Sequence, residues 1–158
     1  MQSVYLETTI PSYLAARPSG MQAVAADQQS THAWWSAERK RYALYTSIFV
    51  ADEAAKGDAE AAARRLGYLD GIRHLTVTAE VAPLATDLAR LLRLPKRAVM
   101  DASHLAMCVL HRIDYLLTWN CTHLANPVLQ KELVEFCSYH DYFIPILCTP
   151  ESLLPQMP

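Results

Sequence analysis

Five short apolar runs, separated by longer stretches with helical spacing, limit what this chain can fold into. They are Val4 to Glu7, Tyr42 to Ser47, "HLTVT" from His74, "YLLTWN" from Tyr115 and "FIPILC" from Phe143. Pro11 suits the first turn of a helix through Ser12 to Ala16. After a break at Ser19-Gly20, Met21 to Arg41 reads as one long helix, with Val24, Thr31, Trp34, Trp35 and Glu38 roughly on helical spacing. Ser47 can cap a helix over "IFVADEAAKG" that Gly57 stops, and Asp58 caps another that runs to about Leu69. Glu80 to Leu92 is helical and ends before Pro95. Ala98 to Arg112 and Pro127 to Cys137 are helical too, and Thr149-Pro150-Glu151 opens a short terminal helix. Pro145 places the last strand at a sheet edge. Strands alternating with helices imply an α/β fold, a three-layer α/β/α sandwich on a mainly parallel central sheet. A length of 158 residues predicts a single domain over 1–158.

Composition narrows the function classes. Apolar residues make up 52% and charged ones 19%, which describes a globular chain rather than a disordered one. The net charge of -2 excludes a broad basic surface, though basic residues can still cluster locally. No apolar run approaches the roughly 20 residues of a membrane helix, so no membrane partner is expected. The start of the chain lacks a basic segment followed by an apolar one, so no signal peptide is expected. Cys108, Cys121, Cys137 and Cys148 show no CxxC pairing and read as reduced thiols of a cytoplasmic protein.

In open parallel sheets, sites form beyond the carboxyl ends of the strands, near a switch in strand order. Glu7 is at such an end, and so is Asn120. Glu53 sits about a turn and a half into the helix that leaves the second strand. Asp101 lies in the first turn of its helix, where the dipole favours a carboxylate. Singly, each has an ordinary explanation: a strand-end acid facing water, two helix-start acids, an amide bonded to its own loop. Together, three carboxylates and an amide from four separate segments form an oxygen-rich cluster that suits Mg²⁺ or Mn²⁺ rather than zinc. His104, three residues after Asp101, either orients Asp101, touches substrate, or is a histidine satisfied within the helix packing. Cys108 and His111 continue that stripe as core residues or zinc ligands. His123 braces the site loop or takes part in chemistry, and at least one of Trp34 and Trp35 is core. Lys96 and Arg97 precede the Asp101 helix, and Lys56 follows Glu53; these cations either neutralise phosphates or face solvent.

Four stretches, "VYLETTIPSYL", "YTSIFVADEAAKGD", "AVMDASHLAMCV" and "YLLTWNCTHLAN", together with "CTPESLL" near the end, resemble the PIN domains. Within them the likeness is to the ribonuclease toxins of type II (VapBC-like) toxin–antitoxin pairs. The resemblance implies metal-dependent hydrolysis of RNA, with RNA as substrate, a cognate antitoxin protein as partner and a possible homodimer. It makes Glu7, Glu53 and Asp101 metal ligands, puts Asn120 in the fourth acidic position, and lets Thr9 and Thr118 support the metal's water shell. The apolar side of the Met21 helix is either a dimer surface or a face packed on the core.

Two departures from the family pattern matter. Glu7 stands where Asp is common, and its extra methylene moves the carboxylate by roughly an ångström, a displacement that can cost about 100-fold in rate. Asn120 is neutral, so one firm metal site and a weak second one are expected. The competing readings are a PIN-like module that binds RNA or protein without cutting, and a phosphotransferase of the haloacid-dehalogenase type. The latter needs an Asp-x-Asp pair where this chain has Glu7-Thr8-Thr9.

Overall fold

Successive residues of a strand point to opposite faces, so a strand that is apolar throughout needs cover on both sides. Val4, Tyr5 and Leu6 are all fully buried, and in the computed structural model, which describes residues 1–156, they belong to the central strand β1 (Ser3–Leu6). Strands β2 (Ala43–Thr46), β3 (Arg73–His74), β4 (Tyr115–Leu117) and β5 (Ile146–Cys148) complete a five-stranded sheet in the order β3-β2-β1-β4-β5. Every pairing is parallel, so the expected parallel sheet carries no antiparallel strand.

The connecting helices are α1 (Thr9–Ala15), α2 (Gln22–Ala33), α3 (Ile48–Ala54), α4 (Ala59–Leu69), α5 (Val81–Leu91), α6 (Val99–Leu110) and α7 (Pro127–Tyr139). Tyr5 and Leu116 face a core filled by Val50 of α3, Leu84 and Leu88 of α5, Leu105 of α6 and Leu133 of α7. Val4, Leu6 and Leu117 face the other core, with Ile10 and Leu14 of α1 and with Trp34. The result is the three-layer α/β/α sandwich that the sequence pattern predicts. Strand order runs outward from β1 to β2 and β3, then returns across β1 to β4 and β5. The switch point therefore lies between β1 and β4, at the carboxyl end where Glu7 leaves the sheet. Among the described residues, no helix is long and apolar enough to cross a membrane.

Several element boundaries differ from expectation for identifiable reasons. The single helix predicted over Met21 to Arg41 breaks into α2, a widened π turn over Trp34–Glu38 and a tight turn over Arg39–Arg41. The widened turn leaves Trp34 fully buried and Glu38 nearly so, with Arg41 bonded to the Glu38 carboxylate at 3.0 Å. The residues that α2 buries are Gln28 and Thr31, so its core-facing side is polar. The strand predicted over "HLTVT" shrinks to Arg73–His74, because its partner β2 ends at Thr46 and the chain turns into α3. The strand expected over "FIPILC" begins only after Pro145, at Ile146, and lies at the predicted edge. Gln130 covers that edge: its side chain accepts from Leu147 N at 2.8 Å and donates to Pro145 O at 3.0 Å.

Gly57 ends the α3 segment with φ of 85°, and Asp58 caps α4 by accepting from Ala61 N at 3.0 Å, both as predicted. Leu116 is fully buried on a strand flanked on both sides. Leu116→Ala is expected to cost about 2–5 kcal/mol through lost burial and the cavity left behind. The check is a lowered guanidinium midpoint at an unchanged denaturant slope.

Candidate functional site

A carboxylate that ends a buried strand must find donors. Glu7 is only 4% exposed, and all of its protein donors converge on Oε2: Thr9 N at 3.0 Å, the Thr9 hydroxyl, and the Thr118 hydroxyl at 2.7 Å. Those hydroxyls also order the loop after β4. Thr9 Oγ1 accepts from Trp119 N at 2.8 Å, and Thr118 Oγ1 accepts from Asn120 N at 3.0 Å. Thr118 is fully buried, and both threonines spend their hydrogen on the acid. They hold Glu7 directly.

Glu53 projects from α3 and is held through Oε1, which accepts from the Thr8 hydroxyl at 2.7 Å and lies 2.6 Å from His104 Nε2. Burial works to raise its pKa, but the hydrogen bond and charge of His104, with Thr8 and Lys56, outweigh burial and set it below the ordinary 4.5. His104 is fully buried, and its other nitrogen, Nδ1, lies 2.7 Å from the Tyr5 hydroxyl, which in turn lies 2.7 Å from Ser47 Oγ. Both nitrogens are engaged inside the core, and the acid that His104 bonds is Glu53 rather than Asp101. Ser47 occupies the N-cap position of α3 as predicted, but its side chain makes no cap bond and serves Tyr5 instead. Burial raises the Tyr5 pKa well above 10.0 and keeps the phenol neutral.

Asp101 sits in the first turn of α6, half-buried. Its Oδ2 accepts from Asn120 Nδ2 at 3.0 Å, while Asn120 Oδ1 accepts from His123 N at 3.0 Å. The backbone N–H fixes which end of the amide is oxygen. Asn120 thus orients Asp101 rather than turning its oxygen toward the acids. Burial raises the Asp101 pKa first and the like charge of Glu7 second; His104, His123 and the Asn120 bond pull it down without cancelling this. Glu7 and Asp101 are therefore near enough to repel.

A common pattern joins the three acids. Protein donors reach Oε2 of Glu7, Oε1 of Glu53 and Oδ2 of Asp101, and among the described residues none reaches the second oxygen of each. Open carboxylate oxygens are the donor chemistry of a hard dication. Among the described residues, no three His, Cys, Asp or Glu side chains surround one point closely enough to hold an ion by themselves. Mg²⁺ is commonly bound through one or two carboxylates, with water supplying the remaining positions.

The remaining sequence candidates divide clearly. Lys96 and Arg97 are exposed in a tight turn just before α6. Cys108 is core, its thiol raised by burial, and His111 Nε2 lies 2.7 Å from Thr76 O, so the stripe makes no zinc site. His123 braces the loop through its backbone N–H. Trp34 is core and Trp35 lies edge-on to Tyr68. The bonds made by Tyr5 and Thr8, and by Ser47 beyond its cap position, have no signal in local spacing, although a tyrosine inside a buried strand signals a hydroxyl in need of a partner. Trp119 was also missed; it stacks on Tyr13 with ring centroids 5.8 Å apart and donates from Nε1 to Thr31 at 2.7 Å. No protein-family model matches the chain, and no curated protein sequence matches it.

Because the folded state raises the Asp101 pKa, ionising this residue costs stability as pH rises through the window that opens at its ordinary 3.8. Asp101→Asn removes that cost. In chelator, the variant is expected to match the parent at low pH, to gain on it across the weakly acidic range, and to hold its advantage above the raised pKa. Urea midpoints of the two proteins, compared pH by pH, check this.

Proposed function

We propose that this chain is a metal-dependent endoribonuclease of the PIN-domain type, the toxin of a type II toxin–antitoxin pair. The observation that carries the reading is the set Glu7, Glu53 and Asp101, brought from β1, α3 and α6 to the carboxyl edge, each held by one oxygen and open at the other. The resemblance of the four sequence stretches to PIN domains points the same way.

Glu7 and Asp101, whose charges repel, would hold the ion, and the open oxygen of Glu53 would add a further donor. A bound Mg²⁺ or Mn²⁺ supplies activation of water at neutral pH and counter-charge for a phosphate. Asn120 keeps Asp101 in place from its loop. Trp119, stacked on Tyr13 and next to Thr118, offers unpaired bases an aromatic surface. Lys96 and Arg97, exposed ahead of Asp101, suit contacts to the RNA backbone, which position a strand without reading its sequence.

A toxin needs a partner that keeps it harmless. Open carboxylate oxygens match the planar fork of an arginine, so an antitoxin that inserts one would neutralise the acids in place of the ion. A second copy of the chain is a further partner, and a cytoplasmic location suits the free thiols. The competing reading, a module that binds RNA or protein without cutting, draws on Asn120, whose amide oxygen is already taken by His123 N.

Pure protein incubated with assorted RNAs is expected to cleave them with Mn²⁺ or Mg²⁺ and not with chelator. Asp101→Ala is expected to lose this cleavage while keeping its circular dichroism spectrum. Cleavage retained by the variant rules out the assignment. RNA binding that needs no metal, with no cleavage under any divalent ion, favours the module.

A further inference from the structure

We infer that Tyr5 and His104 are positioning residues for Glu53, holding its carboxylate by one oxygen so that the other stays open to a divalent ion or its water. The inference rests on the metal-dependent reading above. The elements involved are separate: Ser47 precedes α3, Tyr5 is in the central strand, His104 is on α6, and Glu53 is on α3. The links measure 2.7 Å from Ser47 to Tyr5, 2.7 Å from Tyr5 to His104 and 2.6 Å from His104 to Glu53.

Direction follows from chemistry. An ionised carboxylate only accepts, so His104 Nε2 donates to Glu53. Nδ1 is engaged by the Tyr5 hydroxyl and that hydroxyl by Ser47 Oγ, which completes the line in either charge state of the ring. Bonded at both nitrogens, the ring cannot turn without breaking two bonds. Glutamate on an open helix face samples many rotamers, and here the Thr8 hydroxyl adds a second donor to the same Oε1. Thr8 directly follows Glu7, so one segment of chain sets two of the acids.

Packing alone does not call for these groups. Both side chains lie at 0% exposure among apolar residues, where a polar atom costs stability unless it is paired. The line of polar atoms begins in the core and ends on the one acid of the three that has a basic partner among the described residues. Partners behind a ligand that fix its orientation commonly change metal affinity or activity by about 10–100-fold when removed.

Two substitutions at one position separate positioning from mere core satisfaction. The amide nitrogen of Gln lies near the place of Nε2, so His104→Gln keeps the donor to Glu53 and drops Tyr5. Asn reaches only as far as Nδ1, so His104→Asn keeps Tyr5 and drops Glu53. Mn²⁺ dissociation constants by calorimetry and by electron paramagnetic resonance, with melting temperatures in chelator, give readouts independent of RNA cleavage. The expected result is Mn²⁺ binding about 10-fold weaker or more in His104→Asn and close to the parent in His104→Gln. Equal loss of melting temperature in both, with parental Mn²⁺ affinity, overturns the inference and leaves the nuclease reading standing. A parent that binds no Mn²⁺ overturns both. Should His104→Asn not fold, Tyr5→Phe decides, since it removes only the hydroxyl that fixes the far side of the ring. Weaker Mn²⁺ binding there supports positioning, and unchanged binding overturns it.

Discussion

The structure turns on a charge placed where a charge is costly. Glu7 ends the central strand almost wholly out of water, and its carboxylate is stable only because Thr9 and Thr118 bring hydroxyls and a backbone N–H to one oxygen. That demand organises the neighbourhood. Thr9 opens α1 and Thr118 follows β4, so satisfying one acid joins the first helix to the adjacent strand's exit. The same hydroxyls accept from Trp119 N and Asn120 N, which shapes the loop that carries Asn120 to Asp101. The crossover back to β4 is what places these residues side by side across more than 100 positions of sequence.

The layer architecture was legible because its signals are local. Apolar runs, Pro11, Gly57, Asp58 and Pro145 mark strands, starts and stops wherever they occur. The lengths of β3 and β5 were less legible, since a strand persists only while a neighbour offers hydrogen bonds, and that is decided elsewhere in the chain. The break at Trp34 depended on which residues the core would admit, which periodicity does not report. At the site, sequence identified the acids by type and by place at strand ends and helix starts. It could not identify their partners. Nothing near His104 in the chain names Glu53, and nothing near Thr118 names Glu7.

The sheet also protects itself at both sides in ways that leave the carboxyl edge free for function. On one side β3 is only two residues long, too short to template another strand. On the other, Gln130 occupies the outer N–H of Leu147 and the carbonyl of Pro145.

Those acids are set in opposite senses. Glu53 has His104 beside it and a pKa below the ordinary range, so its charge is welcome. Asp101 is raised by burial and by Glu7, so its charge is resisted. Among the described residues, neither Glu7 nor Asp101 has a basic side chain in ion-pair contact; the pairs present are Arg41–Glu38, Arg90–Asp87 and His104–Glu53. A fold that needed these acids only for packing would gain by making either one neutral or by placing a lysine between them. Instead it anchors each by one oxygen and leaves the mutual repulsion standing. His104 and His123 offset the repulsion only in part, and further positive charge brought from outside the chain would relieve it. On the nuclease reading proposed above, a dication and the arginine of an inhibitory partner would meet that requirement by the same electrostatics and so compete for one place.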